Sequence, residues 1–307
     1  MIAVKTYTMK ELADRFQELA PLAYACSWDN PGLITGSYDK EIKRIAIALD
    51  ATEDVIDEAI SVEADLLLTH HPLVFKAVSK INDGNSLGRR LMKLIKADIC
   101  CYAMHTNFDA APGCMADIVA DIMGVEKKEP LEPVEGFENE SFGIGFVGEL
   151  PEPMYPNVLA DHIKKKFNLP FVLYYAGDGS TCADHGKRLP FLRKVKRVAV
   201  CPGSGRGMVS EAIKKGAEAF ITGDMGHHDG IDAVDEGIAL IDAGHYGLER
   251  VFTGFMADYI RKNELGETVL IRGADFPAQA VIDKSYAEGG FLKYREDSLK
   301  EQREPLF

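Results

Sequence analysis

Two adjacent histidines, His70 and His71, close the run Asp65-Leu-Leu-Leu-Thr-His-His-Pro72. Leu66 to Leu68 read as a short buried strand, which Pro72 stops because proline has no donor for a ladder. Successive side chains on a strand point to opposite sides, so the two rings diverge, and two ions taking one histidine each fit that geometry better than one. Further polar groups follow apolar strands at His105 to Asp109, at Thr222-Gly223-Asp224 with His227 and His228, and at His245 to Glu249. In an open α/β sheet, ligands bind beyond the carboxyl ends of the strands, so these groups are expected to converge on one rim. The H-x-x-x-[DE] spacing sets a carboxylate about one helical turn beyond its histidine.

The elements that must position these groups alternate. Thr8-Met-Lys-Glu11 is a capping box opening a helix that carries Leu12, Phe16 and Leu19. A turn-rich loop, Ser27 to Gly32, surrounds the only tryptophan, Trp28, and leaves Asp29 and Asn30 free to be either structural or near a cavity. Strands over 42–49, 66–69 and 99–104 interleave with helices over 53–62 and 87–96, an order that implies a parallel sheet. This order recurs. Lys43-Arg44-Ile-Ala46 is matched by Lys196-Arg197-Val-Ala199, Glu58-Ala59-Ile60 by Glu211-Ala212-Ile213, and Thr69 by Thr222, all at one offset (196 − 43 = 153). A duplicated α/β unit follows, with the Pro- and Glu-rich segment 126–156 read as a linker holding one strand over 142–147. Gly203-Ser-Gly205-Arg-Gly207 reads as a strand-to-helix turn. The basic residues between Lys187 and Arg197 read as a solvated loop and strand entry.

Composition narrows the function. The 307 residues are 46% hydrophobic, enough for a substantial core, and carry a formal charge of -13, which argues against nucleic acid or an anionic membrane as partner and suits cations. No apolar run approaches the length of a membrane span, so a cytoplasmic protein is expected. The six cysteines include no CxxC pair and are expected to be reduced thiols.

The segments Trp28-Asp-Asn-Pro-Gly-Leu33, Leu67-Leu-Thr-His-His-Pro-Leu73, Ala103-Met-His-Thr-Asn-Phe-Asp-Ala110, Val198-Ala-Val-Cys-Pro-Gly-Ser-Gly205, Ile221-Thr-Gly-Asp224 and Gly244-His-Tyr-Gly-Leu-Glu-Arg250 resemble the NGG-interacting factor 3-like family, also called the GTP cyclohydrolase 1 type 2 homologues. The resemblance covers roughly residues 1–275 and omits the insert found between the halves of longer members. It implies an α/β fold of two intertwined structural repeats with mostly parallel sheets. That corresponds to a first repeat over 1–125, a second over 126–282 and a charged tail over 283–307. It also implies a homohexameric ring whose sites face a central cavity that takes a small-molecule ligand.

Carried over by motif, the metal ligands are His70, His71, Asp109, His245 and Glu249, with Glu249 bridging two divalent ions. One ion is expected to take His71 and Asp109, the other His70 and His245. His105 and His228 are candidates for proton transfer or ligand orientation, as is His227, whereas His162 and His185 read as ordinary polar residues. Mixed imidazole and carboxylate ligands accept zinc, iron, manganese or nickel. Three protein bonds per ion leave positions for water or substrate, and a bridging water of lowered pKa fits a hydrolase acting on an anionic or nucleotide-like molecule. The alternatives are a metal-dependent binding or regulatory protein without turnover, and structural metals tying the repeats together.

Overall fold

Thr8 accepts a hydrogen bond from the Glu11 backbone N–H at 3.2 Å, and the Glu11 carboxylate reaches back to the Thr8 N–H at 2.7 Å. The helix Met9–Leu19 therefore starts at its predicted cap, and it buries Met9, Leu12, Ala13 and Phe16. The structure, a computed structural model, describes residues 6–138, 140–176 and 193–270. His185, Lys187, Arg188 and the charged stretch from Asp283 lie outside them.

The architecture is α/β, as expected. One sheet runs in the order Glu267–Leu270, Arg44–Ala48, Leu66–Thr69, Cys100–Ala103, Gly32–Thr35. Its first four strands are parallel and Gly32–Thr35 is antiparallel to its neighbour. The second sheet has the order Glu126–Pro133, Gly143–Met154, Val195–Ser204, Ala219–Gly223, Ala239–Asp242, Leu173–Tyr175. Its centre, from Val195–Ser204 to Ala239–Asp242, is parallel, and antiparallel strands flank it. The strand Glu267–Leu270, last of the described strands, thus completes the sheet begun in the N-terminal half.

Alternate residues of each central strand enter different cores, as the period of two requires. Ile45, Ile47, Leu66 and Leu68 share one cluster with Val198, Val200, Ala219 and Ile221 of the other sheet and with Phe16, Val119 and Phe252 from helices between them. Ala46, Leu67 and Cys101 face away, onto Val55, Ile56 and Leu94, while Ala199, Phe220 and Leu240 face Ala212 and Ala233. Burial on both faces explains why these strands read as continuous apolar runs rather than alternating ones.

The segment 126–156 is not a linker with a short strand. It forms the antiparallel pair Glu126–Pro133 and Gly143–Met154. Pro130 and Pro133 are tolerated because Glu126–Pro133 lies at the edge of the sheet, where a missing donor costs no internal ladder bond, and Pro151 and Pro153 fall in Gly143–Met154 where its pairing with Val195–Ser204 shifts register. Lys196 and Arg197 sit at the entry of the strand Val195–Ser204, as expected, with Arg197 paired to Glu129.

The duplication is written into the register. Ile45↔Leu66, Ala46↔Leu67 and Ile47↔Leu68 in one sheet correspond, 153 positions on, to Val198↔Ala219, Ala199↔Phe220 and Val200↔Ile221 in the other. The same clamp closes both pairs. The Asp65 carboxylate accepts from the N–H groups of Lys43 and Arg44 at 2.8 and 3.0 Å, and Glu218 accepts from those of Lys196 and Arg197 at 2.7 and 3.1 Å. Asp65→Ala and Glu218→Ala each strand two backbone donors, so each should cost about 1–3 kcal/mol in urea unfolding. Because the clamps lie in different sheets, the double variant should lose roughly the sum.

Candidate metal centre

Each histidine of the site is aimed by a partner on its Nδ1. Leu66–Thr69 ends where the backbone N–H of His71 donates to Leu49 O at 3.0 Å and Thr69 Oγ1 donates to His71 O at 2.9 Å. This fixes the turn that carries both rings. His70 is fully buried, with Nδ1 2.7 Å from Met104 O. His71 Nδ1 lies 2.9 Å from Asp50 Oδ1, His245 Nδ1 2.7 Å from Asp224 Oδ2, and His105 Nδ1 2.8 Å from Asp29 Oδ1. Occupying Nδ1 fixes the ring and leaves Nε2 as the free donor atom, the arrangement by which outer partners orient metal-ligating histidines.

The carboxylates come from two five-residue helices. Thr106–Ala110 carries Asp109, and its entry is held by Asn107, whose Oδ1 accepts from His105 N at 2.9 Å and whose Nδ2 donates to Ala20 O at 2.8 Å. His245–Glu249 presents His245 and Glu249 one turn apart, Nε2 to Oε2 at 3.1 Å. Glu249 is 2% exposed. Its Oε2 lies 3.0 Å from His71 Nε2, and its Oε1 lies 3.6 Å from His70 Nε2, which is itself 3.5 Å from Asp109 Oδ1.

These distances sort the ligands differently from the sequence expectation. His70 groups with Asp109 and Glu249, whereas His71 groups with His245 and Glu249. Divergence of the neighbouring side chains is the reason: His70 turns into the buried interior beside Asp109 and Glu249, and His71 turns out toward His245. His105 converges as well, on His70 and His71. His227 and His228 are exposed, ring against ring at the start of the helix His227–Asp235, and belong to none of these groups. His162 is on the helix Pro156–Lys166, also apart from them.

The donor set fits a cation. His70 Nε2 and Asp109 Oδ1 are buried without a hydrogen-bond partner, a cost that native interiors avoid unless a charge or metal compensates, and the buried Glu249 Oε2 faces the Nε2 atoms of His71 and His245. Donors bonded at about 2.1 Å to one tetrahedral ion stand roughly 3.4 Å apart, and the contacts around Glu249 span 3.0 to 3.6 Å. The buried residues therefore have the types, separations and unmet valences of metal ligands.

Electrostatics agree. Burial lowers the pKa of His70. Burial works the same way on His71 and His245, but Asp50 and Glu249 outweigh it and raise His71 to about 10, while Glu249 and Asp224 raise His245 to about 9. Burial and the neighbouring Glu249 charge push Asp109 well above its ordinary value. Burial opposes ionisation of Glu249 too, yet the surrounding imidazoles hold its carboxyl well below the usual range. Burial opposes the Asp29 charge as well, but hydrogen bonds from His105 and Thr106 hold its carboxyl at about 2.

Two features escaped the sequence reading. Asp50 was not singled out, although it follows the strand Arg44–Ala48 at the same edge as the histidines. Gly203 passed as a plain turn residue. Its φ is +74°, and a Cβ there would lie 2.2 Å from Glu249 Oε1, so the bare backbone is what admits the carboxylate. In the sequence the shared offset sets Gly203 opposite Asp50, while in the structure a bulge between Val200 and Ser204 shifts the pairing there.

Gly203→Ala should keep the fold and reduce metal loading by at least about tenfold, as read by elemental analysis after dialysis. In chelator-stripped protein, His71 and His245 hold protons at pH 7, so metal binding should release about two protons per chain and tighten as pH rises. Calorimetry in buffers of different ionisation enthalpy checks this. The raised pKa values also stabilise the stripped protein below pH about 6.5, a contribution lost as pH climbs through about 9 and 10.

The sequence profile of a family described as Duf34/NIF3 (NGG1p interacting factor 3) matches residues 7–274. A protein of Clostridium acetobutylicum described as a GTP cyclohydrolase 1 type 2 homolog is 36% identical over 241 residues, which cover 78% of this chain and 85% of its own. Among solved structures, the hypothetical protein SA1388 of Staphylococcus aureus superposes with a TM-score of 0.76 at 27% identity, over 89% of this chain and 99% of that one. A Bacillus cereus protein related to NIF3 gives 0.77 at 22% identity, over 91% and 99%, and speaks for the fold alone. The resemblance read from the His-His-Pro, His-Thr-Asn-x-Asp and Gly-His-x-x-x-Glu motifs is borne out.

Proposed function

The chain belongs to the Duf34/NIF3 family, and on that premise we propose that it is a dinuclear metal-dependent hydrolase acting on an anionic, nucleotide-like small molecule. His70, Asp109 and Glu249 hold one divalent cation, and His71, His245 and Glu249 hold the other. The observation that carries this reading is the pair of buried, unpartnered ligand atoms on His70 and Asp109, converging with the buried Glu249 carboxylate. Zinc, iron, manganese and nickel all suit these ligands.

Hydrolysis, rather than a structural role for the metals, is supported by the ligand deficit. Each group supplies three protein donors, where a closed structural site has about four. Asp109 and Glu249 also neutralise only part of the charge of two divalent ions, which favours an anionic substrate. Bound cations of this kind supply Lewis acidity toward a substrate oxygen. The chain's own residues do the rest: Asp50, Asp224 and Met104 O hold the imidazoles in place, and His105, held by Asp29, stands beside the ligands with its Nδ1 committed and Nε2 available to carry a proton.

A second reading, a metal-dependent ligand-binding or regulatory protein without turnover, draws on the make-up of the groups. They contain His, Asp and Glu alone, with no Cys among the converging residues. The proposal extends to a ring-shaped homohexamer in the cytoplasm whose central cavity takes the ligand, supported by the family resemblance. Among the described residues no helix is long and apolar enough to cross a membrane.

Protein loaded with each candidate metal is to be screened against phosphoesters, nucleotides and cyclic amides. Turnover should fall by at least about 100-fold in His71→Ala and Glu249→Gln, together with a loss of bound metal. Full turnover and metal content in Glu249→Gln would contradict the hydrolase reading, and tight binding without product in the wild type would favour the second one.

A further inference from the structure

Two large aromatic side chains stand open to solvent beside the metal centre, Trp28 at 64% exposed and Phe75 at 49%. Neither belongs to the ligand set. Both rings are nearly perpendicular to the imidazole of His105, with centroids 6.1 and 5.5 Å away. His105 in turn packs against His70 and His71 at 5.3 and 5.5 Å. The aromatic pair therefore begins one imidazole away from the buried donors.

The loops that carry these rings are pinned. The Asp29 carboxylate accepts from His105 Nδ1 at 2.8 Å and from Thr106 N and Oγ1 at 3.1 and 2.5 Å, and its side chain is fully buried. Cys26 N donates to Thr106 Oγ1 at 3.0 Å. Asn30 Nδ2 donates to Val74 O at 2.7 Å, tying the Trp28 turn directly to the Phe75 segment. An indole on a loosely held loop would call for no explanation. Here two aromatics are held out in water by a hydrogen-bond network anchored on the buried Asp29 side chain, next to a polar site, and preorganised exposed aromatic area of this kind marks a binding surface.

We propose that Trp28 and Phe75 form a stacking platform for the flat heteroaromatic ring of a ligand whose anionic group reaches the metal centre. The inference rests on the centre proposed above and narrows its substrate class to planar heteroaromatic compounds carrying an anion. Every nucleobase has a π face, so a platform built only of rings selects that class without choosing among bases.

The test uses the metal-loaded full chain, titrated with the four nucleoside 5′-monophosphates and with ribose 5-phosphate, which carries the anion and no ring. Trp28 is the only tryptophan, so its fluorescence, excited where nucleotides do not absorb, reads the platform directly. Nucleotides should quench it saturably and bind at least about tenfold more tightly than ribose 5-phosphate. Trp28→Ala and Phe75→Ala, followed by calorimetry, should each weaken nucleotide binding by about tenfold and leave ribose 5-phosphate affinity, metal content and oligomeric mass unchanged. Equal binding of the two probe types, or no nucleotide binding, overturns the proposal. So does a change in oligomeric mass with nucleotide affinity intact, which would make the pair an interface between copies. Elemental analysis of the same samples separates the two readings. Bound metal without ring discrimination sinks the platform alone, whereas ring-selective quenching in protein that holds no metal keeps the platform and sinks the metal centre.

Discussion

The Glu249 carboxylate is buried at 2% exposure and must be ionised or neutralised where water cannot help it. Its two oxygens face different companions, Oε1 toward His70 and Oε2 toward His71 and His245. With Asp109 close by, two acids share one enclosed space, which is why the pKa of Asp109 rises while imidazoles hold that of Glu249 down. A fold can sustain such a cluster only if positive charge is supplied, by protons on the imidazoles or by cations in their place. The rest of the site follows from that requirement: glycine where the carboxylate enters, a hydrogen-bond partner behind each imidazole, and short helices that bring acids to the strand ends.

Duplication explains how the requirement is met. The two halves pair the first residues of their central strands in the same register and close them with the same acidic clamp, yet they differ at the strand ends, where a bulge between Val200 and Ser204 has no counterpart in the first half. Asp50, His70 and His71 of the first half correspond, at the shared offset, to Gly203, Gly223 and Asp224 of the second. The glycines remove side chains where the helix His245–Glu249 approaches. A Cβ at Gly203 would strike Glu249, and one at Gly223 would lie 2.4 Å from the backbone N of His245. The first half supplies the paired imidazoles and Asp109, and the second supplies the space, His245 and Glu249. Neither half alone could assemble the cluster.

Much of this was legible in the sequence because periodicity and punctuation are local. The capping box at Thr8, the apolar run Leu66 to Leu68 and the proline after His71 mark their elements without knowledge of the fold, and the constant offset exposes the repeat. Motifs brought His70, His71, Asp109, His245 and Glu249 to notice, and the structure brings all five together. What stayed hidden depends on the third dimension. The pairing of His70 with Asp109 and of His71 with His245 follows from which way each ring turns, and strand alternation says only that they diverge. The role of Gly203 appears once the approach of Glu249 is known, and that of Asp50 once the His71 ring is placed. The segment 126–156 looked like a linker because its prolines and acids obscure a strand that lies at a sheet edge.

Anomalous diffraction from metal-loaded crystals tests the central claim most directly, because it locates cations independently of any activity. Two peaks are predicted per chain, one ligated by His70, Asp109 and Glu249 and the other by His71, His245 and Glu249, with the carboxylate shared between them. A single peak, or peaks that leave Glu249 unligated, would contradict the account.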